Sequence, residues 1–411
     1  VRSVEEQQAR VTAAAMAPRP VRVPIAESQG LMCAEDVVTD APLPGFDQAA
    51  IDGYAVRSVD VNGGDPQNEI TLPVMGIIEA GTRTPSRLQP KQAARVQTGA
   101  PMPALADAVL PLRWTDGGQA RVRVLRGVRP GAYVRHEGDD VRPGDVAVRA
   151  GAIIGPAQVG LLAAVGQERV LVHPRPRVTV ISVGAELVDI SRTPGHGQVF
   201  DVNSYALAAA ARDAGAEVNR VGIVSTEPKE LRDVVEIQLD RAEVLVIAGA
   251  VGAAAAENLR SVLASFGEME VSRIAMHPGS VQGFGQLGPE GVPTFLLPAN
   301  PVSALVVFEV MVRPLIRLSL GKRQAMRRVI RARAVAPIAS VAGRTGFLRG
   351  QLLRDQDSGE YLVEAIGEAP GGSSHLLASL AEANCLVVVP GDVTEVSAGE
   401  SVDVVFLAQR G

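Results

Sequence analysis

Residues 242–259, AEVLVIAGAVGAAAAENL, set an apolar strand, Val244 to Ile247, ahead of a turn holding Gly249 and Gly252, then an alanine run leading into a helix that carries Glu257. Glycines let a backbone approach a ligand, and a helix N-terminus turns free N–H groups and a partial positive charge toward it, so the segment has the layout of an anion site. Almost no side chain in it can catalyse. A carboxylate stands at a second turn, VGAELVD, where Glu186 follows the strand VTVISVG at 178–184 and serves either as a ligand-directed group or as a helix N-terminal charge. A third turn, MHPGSVQGFG at 276–285, exposes backbone N–H groups around Gly279 without lysine or arginine. A fourth, LPANPVSALVVF at 297–308, joins an Asn-Pro turn to a helix start capped near Ser303.

The elements that must position these turns follow from periodicity. Residues 1–20 read as a helix. From about 21 to 150 short apolar runs are broken by APLPGF, NGGDPQ, TGAPMP and VRPGD, which predicts β structure with long loops. From GPAQVGLLAAVG at 155–166 helices and strands alternate, with strands over 178–184, 218–224 and 243–249 and helices over 204–216, 228–242 and 257–267. That alternation predicts a right-handed parallel α/β layer, whose ligands bind beyond the carboxyl ends of its strands. After Gly321 the short strands VIRARAV, GFLRGQLL, YLVEAIG, NCLVVVP and VDVVFLA predict a small β domain.

Composition narrows the function classes. With 411 residues, 46% of them hydrophobic, the chain has material for two to four cores. The first eighteen residues carry acidic groups and no long apolar run, and read as a helix rather than a signal peptide. The greasiest segment, 304–320, contains Glu309, Arg313, Pro314 and Arg317, which a bilayer-spanning helix tolerates poorly, so no transmembrane segment is expected. Cys33 and Cys385 fall in different predicted domains and read as buried free thiols, which points to a cytoplasmic protein. A net charge of −5 gives no general attraction to nucleic acid, and KRQAMRRVIRAR at 322–333 reads either as a solvated linker and edge strand or as a partner site.

Eight ordered motifs carry a resemblance: FDQAAIDGYAVR, RVQTGAPMPALADAVL, RHEGDDVRPGD, SVGAEL, VFDVNSYAL, PGSVQGFGQL, LPANPVSALVVFE and GRTGFLRG. Together they span nearly the whole chain, which resembles the molybdopterin molybdenumtransferase family, including the E domain of gephyrin. The resemblance implies a multidomain α/β fold in an elongated homodimer. Residues 1–39 and 136–172 would form an N-terminal domain for dimerisation and 40–135 a protruding β domain. Residues 173–321 would form a three-layer molybdopterin-binding α/β domain and 322–411 a C-terminal β-barrel. It also implies catalytic positions at Asp52, Thr98 and Glu186, cofactor contacts at Gly249, Gly252, Glu257, Gly279, Arg349 and Ser374, and a metal at Asp140 and Glu186, with Mg2+ and molybdopterin or molybdate as the groups handled.

Departures from the family pattern fall on the chemistry. His277 and Ser280 stand where the family has lysines, and the three lysines of the chain, Lys91, Lys229 and Lys322, lie outside the motifs. Ala248-Gly249-Ala250-Val251-Gly252 replaces a glycine loop bearing two serines, Glu257 a following aspartate, and Val183 and Ala185 a threonine and a carboxylate. Thr226 replaces a further aspartate, and Ala299 a glycine. Each lost charge-assisted contact to an oxyanion costs on the order of 2–4 kcal/mol in catalysis, so the resemblance implies reduced or absent transfer unless arginines substitute. Three functions stay open. The first is a catalytically silent scaffold like the actinobacterial gephyrin-like paralogues of cell division, binding the C-terminal tail of FtsZ, recruited to the septum and so indirectly to the membrane, with no cofactor of its own. The others are an active transferase that inserts molybdate into adenylated molybdopterin, and a molybdopterin carrier without transfer.

Overall fold

The computed structural model describes residues 1–65, 67–85, 87–249, 254–322, 324–367 and 377–407; Gly252 and Ser374 lie outside them. The chain forms two compact units, residues 21–172 and residues 1–20 with 173–411. Helix α1 (Val4–Ala13) therefore belongs to the unit that holds the α/β and barrel segments, whereas residues 1–39 were expected together with 136–172. Its N-terminus is closed by a capping box between Ser3 and Glu6, and Val4, Gln7 and Val11 are buried.

The 21–172 unit is built largely of strands, as the proline- and glycine-broken text predicts. Strands β1 (Gly53–Val56), β2 (Ile70–Ile78), β3 (Ala93–Val96), β4 (Ala108–Pro111) and β5 (Arg121–Val124) form one sheet in the order β4-β1-β3-β2-β5. In β5 the pattern Arg-Val-Arg-Val alternates exposed and buried, so Val122 and Val124 join Tyr54, Val56 and Leu110 in its core. A second core gathers Cys33, Ile154, Leu162 and Val170 around helix α2 (Pro156–Ala164).

In the other unit, β6 (Arg177–Val183), α3 (Asn203–Ala214), β7 (Glu217–Val224), α4 (Pro228–Leu239), β8 (Val244–Ala248), α5 (Ala254–Leu263), β9 (Gly267–Arg273), β10 (Val281–Leu287) and β11 (Val292–Leu297) make a layered α/β fold. The sheet order is β7-β6-β8-β11-β10-β9, with the first four strands parallel and β10 and β9 antiparallel. β8 and β11 are buried along their whole length, which is why they read as continuous apolar runs. The segment 276–285, expected as one turn, is a turn only at 278–280, because β10 begins at Val281. Gly283 and Gly285 belong to that strand, since a Cβ there would stand 2.9 Å from Leu296 and 2.2 Å from the Glu268 carbonyl.

Helix α6 (Pro301–Val307) is capped by Asn300, whose side chain accepts from Ser303 N at 3.0 Å; Ser303 is thus the donor, and the cap lies three residues earlier than expected. The greasy segment continues through a π turn, Phe308–Val312, into α7 (Arg313–Ser319). Pro314 has no N–H to offer the Val310 carbonyl, and Gln8 Nε2 of α1 donates to that oxygen at 2.9 Å. Among the described residues no helix is long and apolar enough to cross a membrane.

Strands β12 (Val329–Ala334), β13 (Thr345–Arg354), β14 (Tyr361–Ala365), β15 (Cys385–Val389) and β16 (Ser401–Phe406) close into a barrel, in the order β13-β14-β12-β16-β15 with β15 returning to β13. β12 is therefore flanked on both sides, not an edge strand. The basic run before it is not simply solvated either. Arg327 is mostly buried and donates to both oxygens of Glu309, at 2.7 and 3.0 Å, and to Asp213 at 3.1 Å. Cys33 and Cys385 are buried free thiols, and burial pushes Cys385 up to about 12, where it stays protonated. Removing Arg327 leaves Glu309 buried without its bidentate partner, so Arg327→Ala is expected to lower the unfolding free energy by about 3 kcal/mol, measured by urea denaturation.

Candidate functional site

The parallel strands of the α/β layer present their carboxyl ends together. β6 and β8 run side by side, Ser182 against Ala248, so the turns after Val183 and Ala248 begin next to each other. Gly249 has φ 96°, and a Cβ on it would stand 2.0 Å from the Val183 carbonyl oxygen. Only glycine fits there. One turn away, the Glu186 carboxylate folds back over Gly184, where a Cβ would lie 2.8 Å from either carboxylate oxygen. Glu186 is exposed, and its carbonyl accepts from Val199 N at 2.9 Å. The rim is completed by Asn203, which opens α3 and donates Nδ2 to the Ala299 carbonyl at 2.8 Å, tying α3 to the turn between β11 and α6.

Beneath this rim lies a polar network that the motif VFDVNSYAL did not reveal. Asp201 is 1% exposed, and its carboxylate accepts from Ser182 Oγ at 2.8 Å, from Ser204 N at 3.0 Å and from Ser204 Oγ. Arg220 donates to Ser204 Oγ at 3.0 Å, stacks on the Tyr205 ring, and stands 4.0 Å from Asp189, which accepts from the Tyr205 hydroxyl. A buried carboxylate is tolerable only with such donors. The spacing of Asp201 and Ser204, an acceptor three residues ahead of a helical N–H, was the available signal.

Other expected residues are scattered. Gly279 has φ 86°, and a Cβ there would meet Val307 at 2.3 Å, so the turn packs directly on α6. Glu257 is exposed in the first turn of α5. Arg349 is 2% exposed within β13, where its carbonyl accepts from Ile366 N at 2.9 Å. His277 sits in the two-residue strand Met276–His277, which pairs in parallel with Thr345–Gly346 of β13. Asp140, with Asp52 and Thr98, belongs to the 21–172 unit, and Glu186 to the other. Among the described residues no group of three or more His, Cys, Asp or Glu stands placed to hold a metal ion.

Asp52 and Thr98 do come together. Asp52 Oδ1 accepts from Thr98 N at 2.7 Å and from Thr98 Oγ1 at 2.8 Å. These bonds, the backbone one foremost, hold the Asp52 carboxyl below the usual carboxylate range, so it stays ionised as the medium is acidified. Because the folded pKa is depressed, the matching stability is present above the unfolded value and is lost as pH falls through the folded one. Thr98→Val removes the hydroxyl and keeps the N–H, so it is expected to raise the Asp52 pKa toward the ordinary value without abolishing the shift, read by NMR titration of the carboxyl carbon.

With this geometry in place, comparison with known proteins accounts for the whole architecture. Residues 2–166 match the MoeA N-terminal region (domain I and II), 179–318 a probable molybdopterin binding domain, and 331–407 the MoeA C-terminal region (domain IV). Molybdopterin molybdenumtransferase 1 of Mycobacterium tuberculosis is 75% identical over 426 residues, covering 100% of both chains. Molybdopterin molybdenumtransferase 2 of the same organism is 39% identical over 410 residues, covering 98% of this chain and 99% of its own. A crystal structure of a molybdopterin biosynthesis MoeA protein from Pyrococcus horikoshii superposes with a TM-score of 0.84 at 30% identity over 100% of both chains. The chain belongs to the molybdopterin molybdenumtransferase family.

Proposed function

We propose that this protein is a molybdopterin molybdenumtransferase of molybdenum cofactor biosynthesis, inserting molybdate into adenylated molybdopterin. The observation that carries the proposal is the contact of Gly249 with Val183 at the carboxyl edge of the parallel sheet. It brings the turns after β6 and β8 together at the strand ends where open α/β sheets bind their ligands. In this reading the pterin phosphate rests against that rim, Glu186 faces the bound substrate from the neighbouring turn, and Ser182, Asp201 and Ser204 keep the rim in register.

The replaced lysines and serines favoured a silent scaffold from the sequence. Two considerations weigh against that preference. Relatives 75% and 39% identical that align along nearly their whole length bear the name of the transferase. Phe347, Leu348 and Leu386 of the barrel are 7%, 2% and 1% exposed and pack in the core, so they offer no apolar anchors to a tail peptide. A homodimer and a cytoplasmic location accord with the transferase role.

Expression of the protein in a strain lacking its own transferase is expected to restore molybdoenzyme activity, and Glu186→Ala to reduce that rescue by about tenfold or more. Absence of rescue by the wild-type protein at normal expression would return the scaffold reading to first place.

A further inference from the structure

Residues 111–135 hold six arginines, Arg113, Arg121, Arg123, Arg126, Arg129 and Arg135, against one acidic residue, Asp116. All six are exposed. Asp116 Oδ1 accepts from Gly118 N at 3.1 Å and Arg123 N at 2.9 Å, and the Arg123 side chain is paired with Glu69 at 3.1 Å. At the centre of the group stands Trp114, the single tryptophan of the chain. The guanidinium carbons of Arg126 and Arg113 lie 4.4 and 5.3 Å from its ring centroid, and Tyr133 meets it edge-on at 5.9 Å. Arg113 also donates to the Tyr133 hydroxyl at 3.4 Å. Tyr133 adopts φ 58°, a left-handed backbone that a non-glycine residue seldom takes and that clusters at functional positions. Among the described residues neither Arg113 nor Arg126 has a carboxylate partner.

Register places this cluster at a particular end of the sheet. Gly53 pairs with Pro111 on β4 and with Val96 on β3, so Asp52, Thr98 and Arg113 leave the same end of three adjacent strands. Tyr133 is tied there too, its carbonyl accepting from Ala50 N at 2.9 Å. Two guanidiniums ordered on one ring repel each other, and each offers a planar fork of N–H donors suited to an oxyanion. The indole is already engaged by the arginines, which disfavours a stacked base and leaves charge as the basis of recognition.

We infer that Arg113 and Arg126, ordered by Trp114 at the Asp52–Thr98 end of the sheet, form a binding site for a tetrahedral dianion, either molybdate or the phosphate ester of the pterin. The inference rests on the transferase reading for the identity of the anion and on the local geometry for the existence of the site.

Trp114 emission reports on this site alone. Sodium molybdate and sodium phosphate are titrated separately into the full-length protein at constant ionic strength, with chloride as the control. A saturable change is expected with at least one of the two dianions and none with chloride; the responsive dianion identifies the source. Arg113→Gln and Arg126→Gln are each expected to weaken the midpoint about tenfold or more, and Arg126→Lys, which keeps the charge and loses the fork, by less. Both side chains are exposed, so the thermal midpoint of the variants should match the wild type and separate loss of binding from loss of fold. No saturable change, or the same midpoint in the Gln variants as in the wild type, overturns the site. Rescue of a transferase-deficient strain by a protein whose emission does not respond overturns this site and leaves the transferase reading intact. Saturable emission in a protein that fails to rescue does the reverse.

Discussion

The approach of Gly249 to the Val183 carbonyl is the constraint around which the α/β layer is arranged. With a Cβ at 2.0 Å from that oxygen, no other residue could let β8 leave the sheet beside β6, and the glycine also supplies the positive φ the turn requires. The two strands are held in parallel register over five residue pairs. Their carboxyl ends therefore emerge together, and the Glu186 turn and the start of α3 inherit their positions from that register.

Polar groups below and beside the rim stiffen it. Asp201 joins the end of β6 to the first turn of α3 through Ser182 and Ser204, and Arg220 compensates its charge through Ser204. Asn203 extends the link to the turn ahead of α6. On the far side of α6, the π turn and Pro314 leave a carbonyl that Gln8 of α1 fills. Arg327 then binds Glu309 of that turn and Asp213 of α3 just before the chain enters the barrel. The helix that begins the chain and the linker that leads to the barrel are thus both fastened to one irregular helical segment.

Much of this was legible in the residues. Continuous apolar runs such as Val244–Ile247 marked strands that the structure buries along their whole length. What escaped was decided by long-range packing. Gly283 and Gly285 read as turn residues, yet they lie inside a strand because neighbouring chains crowd them. The run around Arg327 read as solvated, and only the fold brings Glu309 and Asp213 to it. Asp201 had a local signal in its spacing to Ser204, and only its bond from Ser182, on a strand 19 residues earlier, depended on the fold. A sequence read along one motif at a time does not place Arg113 and Arg126 on a single tryptophan ring.

The central claim is that a backbone-lined rim at Gly249 holds the pterin substrate. Calorimetric titration of molybdopterin into the purified wild-type protein and into Gly249→Ala, with urea unfolding confirming that both are folded, tests it most directly. The account predicts saturable heat for the wild type and its loss in the variant. Equal heats for the two proteins, or none for the wild type, would contradict it.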